Sequence, residues 1–258
     1  MAELLVKGRR HPCRAVLFDK DGTLLDFWQM WGPWTRTLLE MLEQELQGLK
    51  GSFTGSKHRV LGTTHNADGE PMGYDRSGPL AMGSIEETTA VLAWQLYAAG
   101  KPWNEAVLRV HELASVATQE IRQQRPASLP AGLLSLLQQC HQAGVVMGVV
   151  TADGTKEAEE HLHWLGIHSY FATVVGYDQV VHSKPDPAMM LHACAQLRVS
   201  PSETVLIGDT NGDMQMGRLA GAALKIGYAA ESETATYLLD ADEIIHSYDE
   251  IIVRQGFV

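Results

Sequence analysis

The stretch RAVLFDKDGT, residues 14–23, decides the fold. Residues 14–18 are a short apolar run that stops abruptly at Asp19. No polar residue alternates with the apolar ones, which is how a parallel strand reads when both of its faces are covered. Such a strand needs partners, and the C-terminal half of the chain supplies them. From Pro126 onward, helical and strand-like segments alternate. A helix at 130–142 leads into VVMGVVT (145–151), and a helix at 155–165 leads into FATVVG (171–176). Pro187 opens a helix before TVLIGDT (204–210), and Asn211 to Leu219 is helical before AALKIGY (222–228). A short helix, the run DEIIHS (242–247) and a final helix complete the pattern. Alternation of this kind predicts an α/β fold built on a doubly wound parallel sheet. The strand at 14–18 belongs to that sheet.

The segment between the first strand and Pro126 reads differently. Pro33 suits a first helical position, and Leu38, Met41, Leu42, Leu46 and Leu49 follow at helical spacing. Ser84-Ile85-Glu86-Glu87 is a capping-box pattern, with Ile85, Leu92 and Leu96 expected on one face. Pro102 opens a helix whose stripe is Val107, Val110, Ala114, Ala117 and Ile121. Residues 51–83 are irregular and rich in Gly, Thr, His and Asp, with Asp68-Gly69 readable as the turn of a small hairpin. The expected organisation is a core of residues 1–24 plus 128–258 and a mainly helical domain, 25–127, inserted after the first strand.

Composition removes several classes of function. The 258 residues are 45% hydrophobic and 20% charged, an ordinary globular balance that excludes a disordered or fibrous chain. The apolar run Val145 to Val150, itself interrupted by Gly148, is far too short for a membrane helix. No signal-peptide stretch precedes Asp19, so a cytoplasmic protein is expected. The formal charge of −11 argues against nucleic acid and anionic membranes as partners. Cys13, Cys140 and Cys194 are far apart and form no CxxC pair, so reduced, buried thiols are expected rather than disulfides or zinc.

In open parallel sheets, ligands bind beyond the carboxyl ends of the strands. Asp19, Asp21 and Gly22 follow the first strand, and Thr151 and Ala152 follow the second. Lys184 stands in SKPDP, before the helix at 187, and Asp209 and Asp213 follow TVLIG. Carboxylates delivered to one sheet edge repel each other unless a cation neutralises them. The set offers oxygen ligands without His or Cys, which selects a hard cation such as Mg²⁺. A lysine and a threonine hydroxyl at the same edge suit a phosphate. Gly22 permits a tight loop whose N–H groups face an anion.

DKDGT, Thr151, Lys184 and GDTNGD, in that order, resemble the four motifs of the haloacid-dehalogenase-like superfamily. The closer resemblance is to its phosphoglycolate-phosphatase-like branch, with a helical cap inserted after the first strand. That resemblance implies a Rossmann-like core and a Mg²⁺-dependent phosphatase acting on a small phosphorylated metabolite. It implies that Asp19 is the nucleophile, forming an aspartyl-phosphate. Asp21 is implied to be the general acid and then the base, with its backbone carbonyl on the metal. Gly22, Thr151, Ala152 and Lys184 are implied to hold phosphate, and Lys184 is also implied to be catalytic, neutralising charge on Asp19 and the transferring phosphoryl group. Asp209 is implied to ligate Mg²⁺, with Asp213 ligating or supporting it through water. The implied cap closes over the core and selects the substrate. Haloacid dehalogenases lack the second aspartate, and P-type ATPases carry threonine there.

The sequence departs from the family's pattern after Thr151, where Ala152 and Asp153 stand. Asp153 adds negative charge next to the expected phosphate. Two other readings share the motifs: a phosphomutase of the β-phosphoglucomutase type and a non-catalytic binding module. In the inserted segment, Trp28, Trp31 and Trp34 are read as hinge or core packing or as cavity lining. Lys57, His58, Arg59 and Arg76 are read as solvated charges or as contacts to a second anionic group. His65 and Asp68 have no ligand spacing that supports a metal. The sequence does not fix an oligomeric state.

Overall fold

A computed structural model describes residues 2–230 and 234–255. In chain order, β1 (Ala2–Val6), β2 (Arg9–Cys13) and β3 (Ala15–Phe18) come first. Next are α1 (Phe27–Gly48), α2 (Lys57–Val60), β4 (Thr63–His65), β5 (Pro71–Tyr74), α3 (Pro79–Met82), α4 (Ile85–Ala98) and α5 (Trp103–Gln124). They are followed by α6 (Leu133–Gln142), β6 (Val146–Val150), α7 (Thr155–Trp164), β7 (Thr173–Val175) and α8 (Ala188–Leu197). The chain closes with β8 (Thr204–Gly208), α9 (Asn211–Ala220), β9 (Leu224–Tyr228), β10 (Glu243–Ile245) and β11 (Ile251–Arg254). Two compact units result: Met1–Asp26 with Ala127–Val258, and Phe27–Pro126. Among the described residues, no helix is long and apolar enough to cross a membrane.

The first unit is built on a parallel sheet ordered β10-β9-β8-β3-β6-β7. Numbered by their order in the chain, the six strands run 6-5-4-1-2-3, so the winding reverses between β3 and β8. All four residues of β3 are buried because helices cover both faces. Val16 and Phe18 pack on one face with Leu136 and Leu137 of α6 and Leu162 of α7. Leu17 packs on the other with Met189 and Met190 of α8 and Met216 of α9. The helix, strand, helix order of 130–228 follows the sequence reading closely.

The chain ends differ from that reading. Where a final helix is expected, the described residues form a single 3-10 turn, Tyr248–Glu250, and then the strand Ile251–Arg254, antiparallel to β1. Its Ile-Ile-Val run favours extended backbone, and the buried Ile251 beside the exposed Ile252 shows the two-residue period. The N-terminal hairpin β1-β2 completes a three-stranded sheet and turns at Lys7 and Gly8, both with positive φ. The short helix expected before DEIIHS falls partly on 231–233, outside the described residues, and 236–241 form turns.

The second unit is mainly helical. Leu38, Leu42 and Leu46 of α1 pack with Leu92 and Leu96 of α4 and Val110 and Ala117 of α5. Helix α1 starts earlier than expected, leaving Pro33 inside it, because buried Phe27 and Met30 anchor an extra turn. The Ser84–Glu87 capping box is present, but Ile85 is exposed rather than part of the stripe. Thr63–His65 and Pro71–Tyr74 form the small hairpin, with Gly69 at positive φ. Trp28 and Phe27 stack on Tyr74, and Trp34 donates from Nε1 to Thr118 Oγ1 at 3.2 Å. Lys57 pairs with Glu43 at 2.6 Å, and Arg76 lies over the Tyr74 ring. Both ring nitrogens of His65 are engaged, by Thr63 Oγ1 and the Gly69 carbonyl.

Candidate active site

The register of the sheet assembles the site. Phe18 lies level with Ile207 on β8 and Val149 on β6. Asp209 and Thr151 come two residues after those partners, so both strands end beside Asp19. The Asp19 N–H donates to the Ile207 carbonyl at 2.8 Å, which ties the start of the loop to β8. The Lys20 carbonyl accepts from the N–H groups of Leu24 at 2.8 Å and Leu25 at 3.2 Å. This tight loop turns at Gly22, whose φ is +82°.

The Gly22 N–H, expected to face an anion, donates instead to the Leu25 carbonyl at 2.9 Å. The position needs glycine for a different reason. A Cβ there would come within 2.1 Å of Asp209 Oδ2. The backbone therefore closes directly on that carboxylate, and Thr23 Oγ1 donates to Asp209 Oδ1 at 3.3 Å. Farther along, the buried hydroxyl of Tyr248 donates to the Thr23 carbonyl at 2.7 Å and fixes the back of the loop. Tyr248 was not legible as a site residue, because it lies 225 positions from Thr23.

Asp19, Asp209 and Asp213 are all buried, and one oxygen of each lies within 4.8 Å of the others. Lys184 joins them. Its Nζ is 2.5 Å from Asp19 Oδ1 and 2.7 Å from Asp213 Oδ1. The other oxygen of Asp213, Oδ2, accepts from the Thr210 hydroxyl at 2.6 Å and the Thr210 N–H at 3.1 Å. Thr210 thus caps α9 and leaves Asp209 to the site. Gly208 makes room for this, since a Cβ there would meet the Asp213 Cβ at 2.5 Å.

The charge balance is uneven. Burial raises the Asp19 carboxyl to about 7; Lys184 opposes the rise, and Asp213 and Asp21 add to it. Burial pulls the Lys184 ammonium down, but Asp19 and Asp213 outweigh it and raise it overall. Three carboxylates around one ammonium leave negative charge for a cation to neutralise. The donors are oxygens only, which fits Mg²⁺ rather than a softer metal. Both Asp213 oxygens are engaged, so Asp213 fits a supporting place better than a direct one.

Thr151 is buried; its N–H donates to the Val175 carbonyl at 3.0 Å, and its hydroxyl accepts from the Asp153 N–H at 3.1 Å. Ala152 is exposed beside it. Asp153 does not add a bare charge next to a phosphate. Its Oδ2 is 3.0 Å from Lys20 Nζ. Lys20, inconspicuous in the sequence between two aspartates, is completely buried. It also lies 2.7 Å from Asp21 Oδ2 and 3.1 Å from Nδ1 of the buried His161 on α7. Burial pulls the Lys20 ammonium down, and Asp153 and Asp21 more than reverse this. Burial raises the Asp153 carboxyl to about 6, against the pull of Lys20. The available signals were the alternating Asp-Lys-Asp at a strand end and a histidine on the buried stripe of α7.

Comparison with known proteins identifies the family. Residues 13–221 match the family model of haloacid dehalogenase-like hydrolases. The chain is 36% identical over 248 residues to N-acetylmuramic acid 6-phosphate phosphatase of Pseudomonas aeruginosa, covering 95% of each chain. It is 25% identical over 251 residues to phosphoglycolate phosphatase of Salmonella typhimurium, covering 94% of this chain and 92% of that one. The fold matches the crystal structure of β-phosphoglucomutase from Clostridium difficile with a TM-score of 0.62 at 18% identity, over 92% of each chain. The chain therefore belongs to the haloacid dehalogenase-like hydrolases, in the phosphoglycolate-phosphatase-like branch of phosphoric monoester hydrolases.

Proposed function

We propose that the chain hydrolyses a small phosphorylated metabolite by Mg²⁺-dependent transfer of its phosphoryl group to Asp19. The observation that carries this reading is the convergence of Asp19, Asp209, Asp213 and Lys184 at the switch point of the sheet. The parallel-sheet unit carries the chemistry, and the helical unit is the inserted second domain. Asp19 and Asp209, with the Asp21 backbone carbonyl and support from Asp213, are the groups that would hold Mg²⁺. When bound, the ion neutralises charge on the phosphoryl oxygens.

Asp19 attacks phosphorus, and Lys184, already paired with it, lowers the repulsion between carboxylate and phosphoryl group. Thr151 and the Ala152 N–H orient the phosphoryl oxygens. Asp21 protonates the departing oxygen and then takes a proton from the water that hydrolyses the aspartyl-phosphate. Its side chain is 17% exposed against 8% for Asp19, so it lies nearer to solvent. The full-length relatives act, by their names, on two phosphorylated acids, a muramic acid and a glycolate. Phosphorylated carboxylic acids are therefore the first substrates to try. The phosphomutase alternative rests on fold likeness alone.

The test is phosphate release from 4-nitrophenyl phosphate and a panel of small phosphomonoesters that includes both acids. Release with Mg²⁺, abolished by EDTA and by Asp19→Asn, is the expected result. A folded protein that releases phosphate from none of them, yet converts a sugar monophosphate to its isomer with a bisphosphate primer, is a mutase instead.

A further inference from the structure

The buried Lys20 ammonium has no place in the mechanism above. Complete burial of a lysine is unfavourable unless fixed partners compensate it. An apolar residue would fill the same space without that cost. Three acceptors lie within 3.1 Å of its Nζ: Asp21 Oδ2, Asp153 Oδ2 and His161 Nδ1. An ammonium only donates, so Nδ1 must accept, which places the ring hydrogen of His161 on Nε2. A buried cation with three such partners has one position, unlike a solvated lysine with its many rotamers. The three partners come from three places: the loop after β3, the loop after β6 and helix α7.

We infer that Asp153 and His161 fix Lys20, and that Lys20 holds one carboxylate oxygen of Asp21, so that Asp21 meets the leaving-group oxygen in a set orientation. The inference rests on the proposed phosphatase reaction. In its first step, a bond forms between an Asp19 oxygen and phosphorus while the bond from phosphorus to the leaving oxygen breaks. The proton on Asp21 passes to that departing oxygen. Lys20, Asp153 and His161 are positioning residues: they touch neither substrate nor phosphorus, and they act through Asp21.

Leaving groups separate this role from a merely structural one. An alkoxide needs its proton as the bond breaks, whereas 4-nitrophenolate leaves without one. The value of kcat/KM reports the first irreversible step, formation of the aspartyl-phosphate. Asp153→Asn should lower kcat/KM for the alkyl phosphate best used by the wild type by about tenfold or more. The loss for 4-nitrophenyl phosphate should stay within about threefold, and inhibition by inorganic phosphate should be unchanged. Lys20→Met should show the same asymmetry, and adding Asp153→Asn to it should cost nothing further. If Lys20→Met does not fold, Asp153→Asn alone decides. Equal losses on both esters, additive losses or no loss overturn the inference while leaving the phosphatase reading intact. A wild-type protein that hydrolyses neither ester removes both.

Discussion

At the scale of single residues, the site depends on contacts that tolerate no added atom. Gly22 combines a left-handed φ of +82° with a backbone pressed against Asp209. Gly22→Ala should lose most of its turnover and about 1–3 kcal/mol of stability, read by phosphate release and urea unfolding. Unchanged activity would mean that the loop does not need this approach. Two buried thiols give a pH signature. Burial raises Cys13 and Cys140 from 9.0 to about 12, with Cys13 also raising Cys140. Groups raised on folding stabilise fully below the unfolded value and lose that contribution as pH climbs toward the folded value. The unfolding free energy read from urea titrations should therefore fall between pH 9 and 12, by about 1.4 kcal/mol per thiol per pH unit. The buried Tyr248 phenol, also raised, adds to the loss above pH 10. A Cys13→Ala/Cys140→Ala protein should lose most of the fall from pH 9 to 10 and keep the part that belongs to Cys194, whose thiol burial also raises. Most site carboxylates were legible because a charged residue ending an apolar strand is conspicuous. The partnership of Lys20 with His161, 141 positions away, was not, since nothing in the sequence says which buried donors meet.

At the scale of elements, period and capping carried the reading where a segment had one clear partner. The strand β3 and the helices α6 to α9 were legible because each carries an apolar face and a boundary residue, as Thr210 does for α9. The N-terminal hairpin went unread and the C-terminal strand was expected to be a helix, for a shared reason. β1 and β11 are short, and each gains its stability from the other rather than from its own pattern. The hairpin had left a signal in Ala2, Leu4 and Val6 alternating ahead of Lys7-Gly8. Pro33 misled because proline favours a helix start, yet buried Phe27 and Met30 outweigh that preference. The strand assignment at the C-terminus has a direct test. Ile251 is buried opposite Val6, while Ile252 is half exposed. Ile251→Ala should cost about 2–4 kcal/mol in urea unfolding and Ile252→Ala under about 0.5 kcal/mol. Equal costs would contradict the alternation.

At the scale of the whole molecule, the sheet brings four distant segments to one point. Its winding reverses between β3 and β8, and Asp19 and Asp209 leave the sheet on either side of that reversal. Lys184 arrives from the approach to α8 and bridges Asp19 to Asp213 on α9. This convergence was legible because strand order and strand ends follow from the alternation of elements. The contacts inside each loop were not, because they depend on which side chains turn toward each other. The central claim is that Asp19 carries the phosphoryl group during turnover. The most direct measurement is an acid quench during steady-state hydrolysis of 4-nitrophenyl phosphate with Mg²⁺, followed by peptide mass mapping. The account predicts a phosphoryl group on Asp19, absent without Mg²⁺ and absent in Asp19→Asn. Phosphate release by a protein whose Asp19 is never modified, or wild-type turnover by Asp19→Asn, would contradict it.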